Sequence, residues 1–433
     1  MVNELSALST PSPLAGLGRT IVPATTEDPW QRVYRQLHAH PELSGREFAT
    51  ASLVAEQLRA LPGWEVTERV GGTGVVGVLR GGPGPVVWMR ADMDALPVHE
   101  DTGLDYASTV SGVMHACGHD MHVAALLGVC AELAAGDTVT GTVVAIFQPA
   151  EETGAGAAGM LNDGLLERFP RPDICLGQHV GPTPAGLVLT RSDTLMAASD
   201  SVRVRLAGIG GHGSSPHLAV NPLTMAASLV LRLDGLVARQ AAVGSSPVLT
   251  AGSLHVGTRP NIIAENAELL LTLRTFSERS RAQMMEAIRR VVAAEAAAAG
   301  TAIAPEVEFY DHFPMTVNTV GATERVMAEL GATGLAVLPL RNPLSGSEDF
   351  GLLGTAAGCP SVFWNIGGFG PDRFGPDDAA YMLAEGTVPP HFPVNHSSRF
   401  APDPAVTLPA AIAAMGAAVR AELGIGECCA AVK

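Results

Sequence analysis

The side chains best suited to chemistry lie in two short segments of the chain. Residues 115–122 (HACGHDMH) combine thiol, imidazole and carboxyl groups, and residues 148–152 read QPAEE. These groups bind zinc and related divalent metals in proteins. A single cysteine or histidine is more often an ordinary buried or hydrogen-bonded residue, but so many of them together favour a metal centre.

Short apolar runs rich in β-branched residues precede several of these polar residues. Continuous apolar runs separated by helical stretches are typical of buried parallel strands. In open α/β sheets the ligand site lies outside the carboxyl ends of the strands, so we expect the polar residues after the runs to converge on one edge. The runs, each with the residues that follow it, are 85–89 with Asp92 and Asp94, 142–147 with Glu151 and Glu152, and 173–178 with His179.

The thiol and imidazole segment has its own predicted placement. Residues 123–133 (VAALLGVCAEL) are rich in Ala and Leu and predict a helix whose first turn holds Asp120 and His122. Cys117 and His119 are then expected in the loop that leads into this helix. The glycine between them gives the loop enough freedom to present both side chains to one point.

These two segments belong to a series of nine short segments spread along nearly the whole chain. They are residues 38–43 (HAHPEL), 90–98 (RADMDALPV), 114–122 (MHACGHDMH), 148–152 (QPAEE), 177–180 (GQHV), 210–217 (GGHGSSPH), 260–263 (PNII), 346–350 (GSEDF) and 395–400 (NHSSRF). In this order they resemble the metal-dependent N-acyl-amino-acid amidohydrolases. That family includes hippurate hydrolases and auxin-conjugate hydrolases and belongs to a larger group of co-catalytic metallopeptidases and carboxypeptidases.

The resemblance implies an α/β fold in which helices flank a mixed, mainly parallel sheet, as in zinc exopeptidases, with an inserted ferredoxin-like α+β domain. Periodicity alone predicts the same insertion, because its strands and helices follow the order β-α-β-β-α-β. We expect a flexible N-terminus over 1–26, a catalytic domain over 27–197 plus 314–433, and a lid and dimerisation domain over 198–313. The predicted elements of the insertion are strands 201–206, 248–255, 268–276 and 305–310, and helices 222–239 and 278–299.

The resemblance also implies a set of metal ligands and a general base. Of two adjacent carboxylates, one can bind a metal while its neighbour points at a water whose pKa the cation lowers. Glu151 matches the base of the family, and Cys117 takes the place of a bridging carboxylate in related di-metal peptidases. Two divalent ions per subunit are expected, zinc or manganese, with cobalt also compatible. The implied ligands are Cys117, His119, Glu152, His179 and His396.

Four polar residues near these ligands are expected to surround the metal ligands instead of binding metal themselves. Related peptidases carry His-x-Asp where this chain has Asp92-x-Asp94. Asp94 is interpreted as a group that orients a ligand, while Asp92 either does the same or forms a turn. His115 and His122 occupy family positions and are expected to lie behind the ligands.

Residues of the insertion are implied to reach the substrate. His212 matches a histidine that the family brings to the active site, often from the partner subunit, to stabilise the tetrahedral oxyanion; the alternative is a plain turn residue. Asn261 and Arg274 match positions that contact polar groups of the substrate. Arg274 is expected to bind the substrate carboxylate in a bidentate pair, with a solvated strand charge as the alternative. Residues 195–198 could line the acyl pocket, although core packing is favoured.

Composition excludes several function classes. A chain of 433 residues with 47% hydrophobic residues suggests a two-domain globular protein. A net charge of −16 disfavours binding to nucleic acid or to anionic membranes. The only lysine is Lys433, so the fold offers no phosphate-loop, Schiff-base or pyridoxal lysine.

The cysteine pattern and the N-terminus favour the cytoplasm. The six cysteines are spread widely and show no disulfide framework, and a thiolate ligand stays reduced in a reducing compartment. The N-terminal segment lacks a basic region followed by a long apolar stretch, so a signal peptide is not expected. No apolar run approaches the length of a membrane helix.

The sequence therefore predicts hydrolysis of the amide bond of N-acyl amino acids by a metal-activated water, with Glu151 as the base. The nearest alternative is a dipeptidase or carboxypeptidase of the same larger family, which Asp92 and Cys117 disfavour. A two-metal phosphoesterase would need a strongly positive phosphate pocket, of which this acidic chain gives little sign. A non-enzymatic relative would be expected to have lost the base or a ligand. The expected partners are a small-molecule substrate and a second subunit.

Overall fold

A computed structural model gives the structure and describes residues 28–136, 139–242 and 245–424. The predicted flexible segment 1–26 lies outside the described residues, as do Cys428 and Cys429. The four described cysteines are free thiols. They are Cys117, Cys130, Cys175 and Cys359.

An eight-stranded sheet, ordered β1-β2-β4-β3-β5-β16-β6-β15, forms the larger part of the molecule. The neighbours β4-β3, β3-β5, β5-β16 and β6-β15 run parallel, whereas β1-β2, β2-β4 and β16-β6 run antiparallel. The predicted mixed, mainly parallel sheet is confirmed. The strands are β1 (Trp64–Val70), β2 (Gly74–Arg80), β3 (Val86–Asp92), β4 (Thr142–Gln148), β5 (Ile174–Pro184), β6 (Leu187–Thr190), β15 (Ala336–Pro339) and β16 (Ser361–Phe369).

Helices cover both faces of this sheet, which is why its central strands are apolar at nearly every position. Alternate residues of β3 point to opposite faces: Val87 and Met89 pack on one side and Trp88 on the other. The first face is covered by α1 (Pro29–Ala39), α2 (Phe48–Ala60), α3 (His119–Ala135), α9 (Val320–Ala332) and α12 (Pro404–Glu422), and the second by α4 (Gly156–Asn162), α5 (Leu165–Arg168) and α10 (Gly351–Ala357); α11 (Pro376–Glu385) follows β16.

One described helix, α12, has the length and apolar composition of a membrane span. Its most apolar stretch is 61% buried, and it packs against α1, α3 and β16. A long apolar helix enclosed in this way is a core helix of the domain.

The inserted segment forms a second, antiparallel sheet of four strands in the order β10-β12-β8-β13. Its β-α-β-β-α-β sequence of elements is the predicted one. A glycine at 235 divides the helix predicted at 222–239 into two. The elements are β8 (Ala198–Ala207), α6 (Pro222–Asp234), α7 (Leu236–Gln240), β10 (Val248–Val256), β12 (Asn266–Thr275), α8 (Glu278–Ala299) and β13 (Glu306–Phe313).

This second sheet is buried on one face only, so its strands alternate. Val202, Val204 and Leu206 of β8 join a hydrophobic cluster with α6 and α8, while Arg203 and Arg205 on the other face pair with glutamates of neighbouring strands. The alternation is what made these strands predictable from sequence. Two small ribbons complete the chain: β7 (Asp193–Met196) with β14 (Thr316–Asn318), and β9 (Gly211–His212) with β11 (Ile262–Ile263).

Candidate active site

The carboxyl ends of β3 and β4 meet the start of α3, as the apolar runs predicted. The Nε2 atom of His119 lies 3.6 Å from Asp92, 4.0 Å from Glu151 and 3.8 Å from Glu152. The structure thus brings together residues from segments that are far apart in the chain. Strand β5 does not end at His179 but continues to Pro184.

Helix α3 begins earlier than expected, and His119 is its first residue instead of a loop residue. Gly118 precedes it with φ 86°, in the left-handed region that glycine adopts without strain. A Cβ atom on Gly118 would lie 2.5 Å from the Val180 side chain. This glycine therefore sets the direction in which both Cys117 and His119 point.

The predicted ligands form a cluster with metal-like spacing. Single ligand atoms of Cys117, His119 and Glu152 all lie within 4.8 Å of one another. The Cys117 thiol is 3.5 Å from His179 Nε2, and His396 Nε2 is 3.4 Å from Glu152. A tetrahedral metal with bonds of about 2.0–2.3 Å keeps its ligand atoms roughly 3.3–3.8 Å apart.

Two atoms in this cluster are buried without a hydrogen bond. Across the described residues, neither His119 Nε2 nor Glu152 Oε1 has a hydrogen-bonding partner. An unsatisfied buried polar atom costs about 1–3 kcal/mol, and coordination to a divalent cation would remove that cost. Thiol, imidazole and carboxylate donors also match the chemistry of such ions, so the residues present fit a metal.

Asp94 orients this cluster through four contacts. Its carboxylate lies 3.3 Å from His119 Nδ1, which leaves Nε2 of the same ring facing the other ligands. It also accepts the backbone N–H groups of Glu151 and Glu152, at 3.1 and 3.0 Å, and the Ser44 hydroxyl at 2.6 Å. This is the geometry expected of a residue that holds a metal ligand in place.

Asp92 and His122 are engaged with each other and with the protein. Asp92 is buried at the last position of β3, so the turn interpretation does not apply. It binds His122 Nδ1 at 2.5 Å and accepts a hydrogen bond from Arg90 at 2.6 Å. His122 Nε2 accepts the backbone N–H of Val180 at 2.8 Å. Both ring nitrogens of His122 are therefore occupied.

His115 lies behind the cluster and is buried. Burial lowers the pKa of His115 to about 4, so it is neutral at pH 7. Within the described residues its ring nitrogens have no hydrogen-bonding partner, and it joins none of the potential metal-ligand groups.

The same edge of the sheet contains a buried network around Arg90 that was not predicted from the sequence. Arg90 donates to Gln148 at 3.0 Å, to Glu348 at 2.8 Å and to Asp349 at 3.0 Å, besides its bond to Asp92. All these residues fall within the recognised segments RADMDALPV, QPAEE and GSEDF. The segments indicated that the residues matter but not that they contact one another.

Glu151 faces two of the same acids. Carboxylate atoms of Glu151, Glu348 and Asp349 lie within 4.8 Å of one another. Burial, together with the negative charges of Glu348, Asp349 and Glu152, raises the pKa of Glu151 well above its usual range. Nearby cations would oppose this shift. A carboxylate poised in this way can accept a proton and later release it.

The last predicted ligand arrives from the far end of the chain. His396 adopts φ 70°, an uncommon conformation for a residue other than glycine, and its backbone N–H donates to Ala116 at 2.7 Å. The side-chain amide of Asn395 donates to the carbonyls of Cys117 and Val180, at 3.0 and 3.1 Å. These bonds anchor the segment beside Ala116 and Cys117.

A cavity of about 440 Å³ opens onto the cluster. Arg274 reaches it from the inserted segment and donates to the Ser345 carbonyl at 2.6 Å and the Ser347 hydroxyl at 3.1 Å. Met196 also lines it, so residues 195–198 are not purely core packing. The lining comprises Cys117, Glu151, Glu152, His179, Met196, Ser199, Arg274, Phe313, Leu344, Ser345, Gly346, Ser347, Asn365, Asn395 and His396.

The structure does not bring the other two predicted substrate residues to this cavity. His212 and Asn261 are exposed and are absent from the described lining. They lie beside each other, since the Asn261 carbonyl accepts the Gly213 N–H at 2.9 Å. The His212 ring contacts the Ser214 hydroxyl at 2.7 Å.

Comparison with known proteins agrees with this geometry. The model of peptidase family M20/M25/M40 matches residues 88–389. The chain belongs to this family. It is 40% identical over 326 residues to thermostable carboxypeptidase 1 of Saccharolobus solfataricus, covering 74% of this chain and 81% of the relative. It is 36% identical over 343 residues to the hippurate hydrolase of Campylobacter jejuni, covering 77% and 87%.

The fold of this chain is also similar to that of solved structures of the M20 family. A dinuclear metal-binding M20 peptidase from Bacillus subtilis superimposes with a TM-score of 0.73 at 28% identity, covering 91% of this chain and 97% of that one. Family membership and these relatives make the protein a metal-dependent hydrolase of amide bonds.

A buried, charged histidine forms ion pairs beside the active site of this M20 enzyme. His38 contacts Asp120 at 2.6 Å and Glu100 at 3.2 Å, and all three side chains are nearly inaccessible. Burial alone would lower the pKa of His38, but the two carboxylates outweigh it and raise the pKa to about 9. Asp120 follows His119 directly, so this ion-paired group braces the start of α3.

These ion pairs should make stability depend on pH in a defined window. With a pKa of about 9 when folded and 6.5 when free, His38 contributes about 3 kcal/mol to the free energy of unfolding. The contribution is complete below pH 6.5 and is lost as the pH rises through 9. In urea titrations, the difference in free energy of unfolding between wild type and His38→Gln should therefore decrease as the pH rises from 6.5 to 9. His40, which is exposed, provides the control. The free energy of unfolding of His40→Gln should differ from that of wild type by a constant amount across this pH range. A constant difference for His38→Gln as well would contradict the charged state assigned to His38.

Proposed function

We propose that the enzyme hydrolyses the amide bond of N-acyl amino acids, giving a carboxylic acid and the free amino acid. The observation that carries this proposal is a cavity that joins the Cys117, His119 and Glu152 cluster to the guanidinium of Arg274. Arg274 is the one arginine in the described lining. A substrate with a carboxylate next to its amide bond would satisfy both ends of the cavity.

The proposed cofactors are two divalent ions, zinc or manganese, with cobalt also compatible. Cys117, His119, Glu152, His179 and His396 would hold them. Ions held there would polarise the amide carbonyl and lower the pKa of water. In support, the solved M20 relative is described as a dinuclear metal-binding peptidase.

Glu151 is proposed as the general base. It takes a proton from the attacking water as that water adds to the acyl carbon, and then delivers the proton to the leaving amino group. Burial and the surrounding carboxylates strengthen the affinity of Glu151 for a proton. Cations held by the neighbouring ligands would keep it ionised, and so able to act as a base, before the water adds. Asp94 positions its backbone, and Arg90 positions the acids that face it.

Carboxypeptidase activity is the second candidate, because a relative that is 40% identical bears that name. A peptide also ends in a carboxylate, so Arg274 could serve either substrate. The two candidate functions differ in the group on the carbonyl side of the scissile amide bond, which is a simple acyl group for an N-acyl amino acid and a peptide chain for a carboxypeptidase substrate.

The remaining proposals concern assembly and location. We propose that residues 198–313 act as a lid and a dimerisation domain on a catalytic domain of residues 27–197 and 314–433, and that the dimer brings His212 to the site of the other subunit. The separate hydrophobic cluster of the insertion supports the division, and the exposed position of His212 supports its use across subunits. The free thiol of Cys117 supports a cytoplasmic location.

A substrate panel tests the proposed function directly. Metal-reconstituted enzyme should hydrolyse N-acetyl, N-benzoyl or long-chain acyl amino acids, and should lose about tenfold or more in kcat/KM on the matching amino-acid amides, which lack the carboxylate. The measurement is release of the free amine. Cleavage confined to dipeptides or to the C-terminal residue of longer peptides would replace this function with the peptidase one.

Replacing the base should separate metal binding from turnover. Glu151→Gln should retain the metal content of wild type, because Glu151 lies outside the Cys117, His119 and Glu152 cluster, yet kcat should fall by about 10² to 10⁴. Metal analysis and steady-state kinetics measure the two effects. Glu167→Gln, on the exposed surface of α5, is the control with the same chemical change. Near-normal turnover of Glu151→Gln would remove Glu151 from its role.

Mixing two inactive variants tests whether the site is shared. If His212 acts across the dimer, His212→Ala and Glu151→Gln subunits should recover about a quarter of wild-type activity after statistical exchange, because half of the dimers contain one intact site. Size-exclusion chromatography with differently tagged subunits establishes that mixed dimers have formed. Mixed dimers without activity, or a monomeric enzyme, would contradict the shared site.

A further inference from the structure

Asn365 is a polar residue in the middle of a mainly apolar strand of the large sheet. Strand β16 reads SVFWNIGGF, and nearly all of it is buried. The strand register pairs Asn365 with His179 of β5, and paired residues of neighbouring parallel strands point to the same face. Both side chains line the cavity that opens onto the metal-ligand cluster.

The amide nitrogen of this residue has nothing to bond. Asn365 Nδ2 is buried and finds no hydrogen-bonding partner within the described part of the chain. Two other asparagines nearby behave differently. Asn318 Nδ2 donates to Thr190, Arg191 and Phe363 at 2.8–3.1 Å, and Asn395 Nδ2 donates to two backbone carbonyls at 3.0 and 3.1 Å.

An unpaired buried donor carries a free-energy cost that an apolar residue of similar size would avoid. The unpaired Nδ2–H of Asn365 is therefore expected to lower the stability of the unliganded protein. That cost disappears if a molecule in the cavity presents an acceptor. Asn365 lines the cavity, and rotation of its amide group would present the buried Nδ2–H to a ligand there, the arrangement expected where a ligand completes the hydrogen bonding.

The chemistry of the proposed substrate identifies the acceptor. An N-acyl amino acid with an apolar acyl group offers two strong acceptors, its carboxylate and its amide carbonyl. The proposed function, on which this inference rests, assigns the carboxylate to Arg274. The carbonyl must lie beside the metal ligands to be polarised, and His179, the strand partner of Asn365, is one of the proposed ligands.

We propose that Asn365 is a catalytic residue whose Nδ2–H donates a hydrogen bond to the oxygen of the scissile amide carbonyl. As water adds to the carbonyl carbon, this oxygen gains negative charge and the hydrogen bond strengthens. A donor aimed at developing charge contributes to the rate more than to ground-state binding. Asn365 then acts together with the cations and the base, at a position outside the recognised sequence segments.

The test compares Asn365→Leu with Asn318→Leu. The Asn365 variant should lose about tenfold to a thousandfold in kcat/KM, mainly in kcat, with the metal content of wild type. Its metal-free form should melt at the same temperature as wild type or higher, because the unpaired donor has been removed. The Asn318 variant should melt at a lower temperature, since it loses satisfied bonds, while its folded fraction keeps wild-type kcat/KM.

The two measurements distinguish a substrate contact from a structural role. A parallel fall in melting temperature and activity for Asn365→Leu, as for the control, would overturn the proposal, and so would kcat/KM within about twofold of wild type. Asn365→Asp keeps the shape but removes the donor, so wild-type activity in that variant would also overturn it. Kinetics are measured on whichever amide substrate wild type hydrolyses, so a failure of the N-acyl amino acid proposal is seen separately in wild type.

Discussion

A single buried guanidinium holds the active edge of the large sheet in place. Arg90 is surrounded by Asp92, Glu348 and Asp349, with Gln148 completing the set. Removing a cation from water costs several kcal/mol unless charged partners surround it, so these residues have little freedom to move independently. They come from β3, from β4 and from the loop before α10. This interaction therefore fixes the spacing between the end of β3, the end of β4, which leads to Glu151 and Glu152, and the loop before α10.

The same edge contains more acid than Arg90 alone can neutralise. Glu151 and Glu152 lie beside the network, and burial, together with the repulsion among these carboxylates, raises the pKa of Glu151. Glu152 Oε1 belongs to this excess of acid and has no hydrogen-bonding partner within the described residues. A site built in this way is stabilised by added divalent cations, and one of its acids is left ready to exchange protons. The same excess of carboxylates therefore favours a bound cation and surrounds Glu151, the residue proposed as the base.

Much of the fold was predictable because the pattern of apolar residues along the sequence follows which faces of the helices and strands are buried. Continuous apolar runs indicated the central strands, and the alternation in β8 and β12 indicated a sheet with one exposed face. The predictions that were wrong concern the ends of elements. The helix expected to hold Asp120 in its first turn already begins at His119, after Gly118, and Gly235 divides the helix expected at 222–239. Strand β5 continues past His179 to Pro184.

The sequence by itself determined which residues are available for chemistry and which family they belong to, because donor type and order along the chain are properties of the covalent polymer. Only the tertiary structure decided what each donor contacts. Arg90 and Glu348 are 258 positions apart, and no local pattern relates them. The unpaired amide of Asn365 and the separation of His212 from the cavity likewise became visible only in three dimensions. Hydrogen bonds and ion pairs act over a few ångströms, so their partners follow from packing and not from sequence neighbours.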